Sequence, residues 1–200
     1  TGFAGEFRFL LINDMRFGER RMERMIDCFV ALASPKNAAF PEPYPLPRIE
    51  VPGLECDSWR SRHGLRKNGR PVVAMAPGAV GPGKAWSPQN YAELAKHLTE
   101  QGSDVWVLGG PNETAIAATI AAAAGASVSD LTGNDLRNAI IALRAADLAV
   151  TNDSGLMHIS AAISTPTVAI FGPTSPRLWA PLNRLSAIVE PPGSYPDIKN

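Results

Sequence analysis

The sequence predicts an α/β protein whose larger part is a mostly parallel sheet with helices on both faces. Three observations carry that expectation. From residue 71 onward, short apolar runs alternate with helical segments. The loops between them are short. Each conspicuous glycine-bearing loop follows a strand, so all of them fall on one sheet edge, the edge where ligands of such folds collect.

Each element has its own reason. Phe7–Ile12 is apolar and short enough for a buried strand. Residues 19–34 place Met22, Met25, Ile26, Phe29, Val30 and Ala33 at helical spacing, which gives one apolar face to pack on a sheet. Ser34–Gly53 then holds Pro35, Pro41, Pro43, Pro45, Pro47 and Pro52. Proline at that density forbids a helix or a central strand, so an extended connector between domains is expected. Beyond it, Pro71–Ala76 reads as a strand, followed by a Gly/Pro loop and a helix over Pro88–Gln101 stopped by Gly102. Asp104–Leu108 is the next strand and ends in Gly109-Gly110. Asn112 is expected to cap an alanine-rich helix that runs to Ala124 and ends at Gly125. Ser127–Leu131 is a weak strand, and Asp135 caps a helix to Ala145. Leu148–Thr151 and Thr167–Phe171 are strands on either side of a helix from Ser154 to Ile163.

Composition narrows the class. Two hundred residues, 45% hydrophobic and 19% charged, suit one good-sized domain, or one plus part of another, with a real core. The net charge is zero and no Lys/Arg cluster is long enough for a nucleic-acid footprint, so no nucleic-acid partner is expected. No apolar run approaches the roughly 20 residues of a membrane-spanning helix. Cys28 and Cys56 lack CxxC or metal-ligand spacing, which favours reduced thiols, a cytosolic setting and no metal site. The chain starts at Thr1 without a signal-like segment, and a processed or truncated piece is the expectation.

The chemistry-bearing residues cluster on the loops. Thr151–His158 places a carboxylate, a hydroxyl, a glycine and an imidazole where a strand hands over to a helix, a corner whose free N–H groups and dipole favour an anion. Asp153, Ser154 and Gly155 are also what a plain helix cap uses, so the corner alone leaves both readings open. His158 falls one turn after Ser154 and faces the same corner. Pro77–Lys84 is a glycine-rich loop ending in an ammonium. It is neither a Walker A motif nor GxGxxG, but it suits phosphate oxygens as well as it suits a solvated turn. Trp86 is expected to pack this loop on the core. Gly109–Glu113 reads as a nucleotide-edge loop, with Glu113 toward a ribose, or as a turn and cap. Thr174 in Gly172–Pro176 stands near a phosphate or sugar, or serves a turn.

Taken in order, these segments resemble the bacterial lipopolysaccharide heptosyltransferases of glycosyltransferase family 9. The segments are Thr151–Ser160 through Ala169–Pro176, the Pro-Gly-Ala loop with Lys84-Ala85-Trp86, Gly109-Gly110 and Leu131-Thr132-Gly133. Thr1–Arg8 with Asn13-Asp14 extends the likeness upstream. Its Gly5–Arg8 part, with the Pro-Gly-Ala loop, is closer to type II members than to type I. The resemblance implies a GT-B arrangement, two Rossmann-like domains facing across a cleft. On that plan residues 1–34 are a remnant of the acceptor domain and 35–70 a connector with a lead-in helix. Residues 71–190 form the donor domain and 191–200 a truncated tail. The implied donor is ADP-heptose, with no cofactor. The implied acceptor is the lipid A–core oligosaccharide, met at the inner membrane surface by a cytoplasmic, peripheral enzyme.

Carried over by position, Lys84 would neutralise the diphosphate and Asp153 would hold heptose hydroxyls. Ser154, Gly155 and His158 would line phosphate and sugar, and Thr132, Gly133 and Asn134 would pass near adenine. Gly109, Glu113 and Thr174 complete the donor-binding set. The implied transfer inverts the anomeric centre in one displacement without an obligatory metal. The family's general base is an aspartate near the start of the N-terminal domain, upstream of Thr1. The chain alone is therefore expected to bind ADP weakly and to transfer no sugar. Two departures stand out: the Pro77–Lys84 loop is one residue shorter than in type II members, and Val80 stands where they carry an acid. The alternatives are another GT-B nucleotide-sugar transferase or epimerase, or a non-catalytic nucleotide-binding module.

Overall fold

The computed structural model describes residues 1–4, 12–18, 22–36, 38–65 and 68–191. Most of the strand expected over Phe7–Ile12, the Gly5–Arg8 motif and the tail beyond residue 191 lie outside the described residues. At the N-terminal side, β1 (Gly2–Phe3) and β2 (Met15–Arg16) form a small parallel pair. Helix α1 (Met25–Ala33) follows, shorter than the periodicity predicts, with Met22 ahead of it. The buried Asp27 carboxylate accepts from the Arg24 backbone N–H at 3.0 Å and from the Tyr44 hydroxyl. This ties the proline-rich connector to the start of α1. The connector leads into α2 (Gly53–Arg62), which enters behind Pro52 with Trp59 almost fully buried.

The main sheet comprises β3 (Val72–Ala76), β4 (Asp104–Gly109), β5 (Val128–Thr132), β6 (Leu148–Asn152), β7 (Thr167–Ile170) and β8 (Ser186–Val189). Their order is β5-β4-β3-β6-β7-β8 and every pairing is parallel. The crossovers are α3 (Pro88–Glu100), α4 (Thr114–Ala124), α5 (Leu136–Ala145), α6 (Gly155–Ala162) and the short α7 (Pro176–Trp179). Strand alternation divides the core in two. Val73, Met75, Val105 and Val107 face Tyr91, Ala95, Ala117 and Ile120 of α3 and α4. Val72, Ala74, Trp106 and Leu108 face Trp59 of α2 and Ile141 to Leu143 of α5. Near-continuous apolar strands are what a parallel sheet covered on both faces demands.

Several helix ends follow local chemistry, and one departs from the sequence expectation. The Ser87 hydroxyl accepts from the Asn90 N–H and the Asp135 carboxylate from the Asn138 N–H, as N-caps should. Gly102 and Gly125 take left-handed φ of +89° and +73° where α3 and α4 stop. Asn112 is the departure. The chain passes through a 3-10 turn, Pro111–Glu113, and Asn112 lies inside it instead of capping α4. The Glu113 carboxylate takes the Gly110 N–H instead, at 2.7 Å.

The sequence also left β8 and α7 unassigned. Both are short, and β8 sits at the sheet edge with three of its four residues exposed, so no alternation marks it. Counted from β3, the strands lie in the order third, second, first, fourth, fifth, sixth. The order reverses between β3 and β6, and there the loops on the carboxyl edge part to leave a crevice.

Candidate functional site

The crevice is built where β6 ends. Thr151 and Asn152 are fully buried at the end of the strand, and the Asp153 N–H still donates to the Ile170 carbonyl at 3.0 Å, so the sheet fixes the position of Asp153. Ser154 then takes the extended conformation of an N-cap (φ −151°, ψ 172°) and α6 begins at Gly155. Its hydroxyl makes no capping bond. The Ser154 Oγ is shielded from solvent and has no hydrogen-bond partner among the described residues. The plain capping reading therefore loses its side-chain bond. The Met157 N–H donates to the Ser154 carbonyl at 3.1 Å, and the Gly155 and Leu156 N–H groups are those a helix start offers to an outside acceptor. A Cβ added at Gly155 would meet nothing within 4 Å, so this corner is open.

Three loops meet at the Asp153 carboxylate. Lys84, from the loop after β3, places its Nζ 2.8 Å from Oδ2, with the lysine side chain 26% exposed and the aspartate 5%. The Thr174 hydroxyl, from the loop after β7, donates to the same oxygen at 2.6 Å. The two flanking loops also touch directly. A Cβ at Gly172 would lie 2.4 Å from the Gly83 carbonyl oxygen, so glycine is required there for the backbones to approach.

On the other side, Glu113 lies across the mouths of β3 and β4. A Cβ on Gly109 would come within 2.6 Å of the Glu113 Cβ, and one on Gly78 within 3.0 Å of its carboxyl carbon. These groups line a cleft of about 620 Å³, with Gly78 to Val80, Lys84, Gly109, Gly110 and Glu113 on one side and Asp153 to Leu156 on the other. Leu108, Leu136, Ile159 and Trp179 supply apolar surface. Val80 is exposed at the rim.

His158 also opens onto the cleft, with its ring 6.4 Å from that of Trp179. Partial burial lowers its pKa below the ordinary imidazole value; Asp153 opposes that shift and Lys84 reinforces it. The ring is therefore neutral near pH 7 and can donate or accept a hydrogen bond. A smaller, mostly apolar cavity of about 240 Å³ adjoins it, between α1 and the α6–α7 side, and shares His158 and Trp179.

Seven of the sequence-predicted residues thus converge: Lys84, Gly109, Glu113, Asp153, Ser154, Gly155 and His158 all line the cleft. Thr174 stands behind Asp153 as its second donor. Thr132, Gly133 and Asn134 are not in the cleft lining. Thr132 donates to Asp130 at 2.7 Å, Gly133 takes φ +75° and donates to the Gly109 carbonyl, and Asn134 donates to the Leu131 carbonyl. They shape the turn, and Leu136 just beyond it supplies the lining surface. Trp86 packs edge-on against Tyr91 at 5.1 Å, the core role expected of it.

Sequence reasoning missed Asn152. Its carboxamide is fully buried and binds Pro77, Trp86 and Tyr91, contacts that only the folded chain brings together. Among the described residues, no group of three His, Cys, Asp or Glu side chains is placed to hold a metal ion. Nor is any helix among them long and apolar enough to cross a membrane.

The family model for glycosyltransferase family 9 (heptosyltransferase) matches residues 1–199. The chain belongs to that family. This family 9 chain is 34% identical over 201 residues to lipopolysaccharide heptosyltransferase 2 of Escherichia coli K12, covering 94% of this chain and 58% of that protein. Against lipopolysaccharide heptosyltransferase 2 of Salmonella typhimurium LT2 the identity is 35%, with the same coverage. The solved structure of E. coli ADP-heptose lipopolysaccharide heptosyltransferase II matches with a TM-score of 0.86 and 34% identity, over 94% of this chain and 60% of that one. The fold is therefore that of the GT-B heptosyltransferases, here seen as a six-stranded parallel sheet flanked by helices. The family 9 chain spans somewhat under two thirds of the length of the curated relatives it matches.

Proposed function

We propose that this chain holds ADP-heptose for inverting transfer of the heptose to the inner core of lipopolysaccharide, at the cytoplasmic face of the inner membrane. The observation that carries this reading is the Lys84–Asp153–Thr174 cluster beside the open start of α6, at the switch point of a family 9 sheet. The Lys84 ammonium and the Asp153 carboxylate pair with each other across the cleft. A diphosphate entering between Lys84 and the α6 N–H groups takes over the ammonium, and the freed Asp153 carboxylate then accepts from heptose hydroxyls. The Ser154 hydroxyl, without a partner among the described residues, donates to the same anion.

In a single displacement the acceptor oxygen bonds to the anomeric carbon as the bond from that carbon to the phosphate oxygen breaks. The electron pair leaves on ADP. Positive charge preorganised at that oxygen stabilises the transition state more than the ground state, commonly the largest catalytic term. Lys84 and the helix terminus supply that charge without requiring a metal. The acceptor proton goes to a base within hydrogen-bond reach. The residues around Asp153 thus serve the leaving-group half of the reaction.

Calorimetry on the whole chain tests the assignment of Asp153. ADP-heptose is expected to bind about tenfold more tightly than ADP, an increment of about 1.4 kcal/mol. Asp153→Ala is expected to erase that increment. Survival of the increment in the variant would remove Asp153 from sugar recognition.

A further inference from the structure

We propose that Asn152 is a positioning residue for donor binding: its buried carboxamide cinches both ends of the 77–86 loop and so sets where the Lys84 ammonium stands. The Nδ2 group donates to the Pro77 carbonyl at 2.6 Å, where the loop leaves β3. The Oδ1 atom accepts from the Trp86 backbone N–H at 3.2 Å, where the loop ends, and from the Tyr91 hydroxyl at 3.1 Å. One side chain thus closes a loop in which Gly81 and Gly83 adopt left-handed φ of +115° and +73°. Lys84 lies two residues inside that closure.

The neighbouring residue, Asp153, is the partner of the Lys84 ammonium at 2.8 Å. Two consecutive residues at the end of β6 therefore set both halves of the ion pair, one through the loop and one directly. Asn152 is fully buried, so its donor and acceptors have no water to fall back on and the amide orientation is fixed by its three partners. Burial pushes the Tyr91 phenol up, so it stays a donor to Asn152 at any physiological pH. An apolar residue at this position would leave the Pro77 carbonyl and the Trp86 N–H unpaired and release the loop.

This inference rests on the reading of Lys84 as a diphosphate ligand, and a double-mutant cycle separates the two. ADP and adenosine binding are measured by calorimetry on the whole chain for wild type, Asn152→Ala, Lys84→Ala and the double variant, with thermal melts as the check on folding. Asn152→Ala is expected to weaken ADP binding about tenfold in the wild-type background and less than about twofold in the Lys84→Ala background, the coupling typical of residues acting through one another. Adenosine, which carries no phosphate, is expected to bind unchanged. Tyr91→Phe removes one of the three bonds without altering the ring, so it reports even where Asn152→Ala fails to fold. It is expected to shift ADP affinity about two- to threefold in the same direction, again only when Lys84 is present. Equal losses in both backgrounds, or a folded Asn152→Ala with unaltered ADP affinity, would overturn the positioning role alone. A Lys84→Ala variant with unaltered ADP affinity would overturn the donor reading and the positioning role with it.

Discussion

Lys84→Ala is expected to weaken ADP binding by about 10- to 100-fold, the loss that follows from removing one charge-assisted hydrogen bond of about 1.5–3 kcal/mol. The side chain is only 26% exposed and stands over a cleft partly lined by apolar residues, so its charge is less screened than that of a surface lysine. The variant has a second consequence. Asp153, 5% exposed in the wild-type chain, keeps the Thr174 hydroxyl but loses its cation, so the folded state also loses stability. The two effects separate by ligand. Adenosine binding responds only to damage to the cleft, whereas ADP binding responds to that and to the missing ammonium. A comparable loss for both ligands in calorimetry would show that Lys84 supports the cleft without touching phosphate.

Gly172→Ala is expected to destabilise the fold by about 1–3 kcal/mol, the usual cost of overpacking, and to weaken ADP binding about tenfold. The added methyl would sit 2.4 Å from the Gly83 carbonyl oxygen and 3.3 Å from the Gly83 carbonyl carbon. Both obstacles are backbone atoms and cannot rotate away. One of the two loops must move, taking either the Lys84 ammonium or the Thr174 hydroxyl from its place on Asp153. Gly155→Ala is the contrast for stability alone, because a methyl there meets no protein atom within 4 Å while the residue itself lines the cleft. Denaturant melts of the two variants with ADP titrations provide the check. Gly172→Ala with an unchanged midpoint and unchanged affinity would show that the two loops do not hold each other.

Much of this site was legible in the residue order because the fold class fixes which loops share an edge. Lys84 and Asp153 are far apart in sequence, but each follows a strand of one parallel sheet, and β3 and β6 are hydrogen-bonded neighbours. Chemistry at their carboxyl ends therefore had to converge. Caps made by local side chains, such as Asp135, were equally readable.

What the residue order hid depended on long-range contact or exact backbone path. Asn152 looked like one polar residue in a motif, yet its partners are Pro77, Trp86 and Tyr91, all distant along the chain. Thr132 to Asn134 had the right neighbourhood but spend their polar atoms on their own turn, so Leu136 takes the lining position. Glu113 was readable as a candidate, while its bond to Gly110 required the 3-10 turn that displaced Asn112 from its expected capping role. Ser154 was ambiguous between cap and ligand; its hydroxyl makes no capping bond and has no partner among the described residues.

The central claim is that the cleft between β3 and β6 is a donor site for an adenine nucleotide sugar. Titration of ADP-heptose, ADP and UDP-glucose into the whole chain, followed by calorimetry, tests it most directly. The expected order of affinity is ADP-heptose above ADP, with UDP-glucose at least about tenfold weaker than ADP, a gap of about 1.4 kcal/mol. UDP-glucose binding as tightly as ADP-heptose, or no binding by either adenine nucleotide, would contradict it.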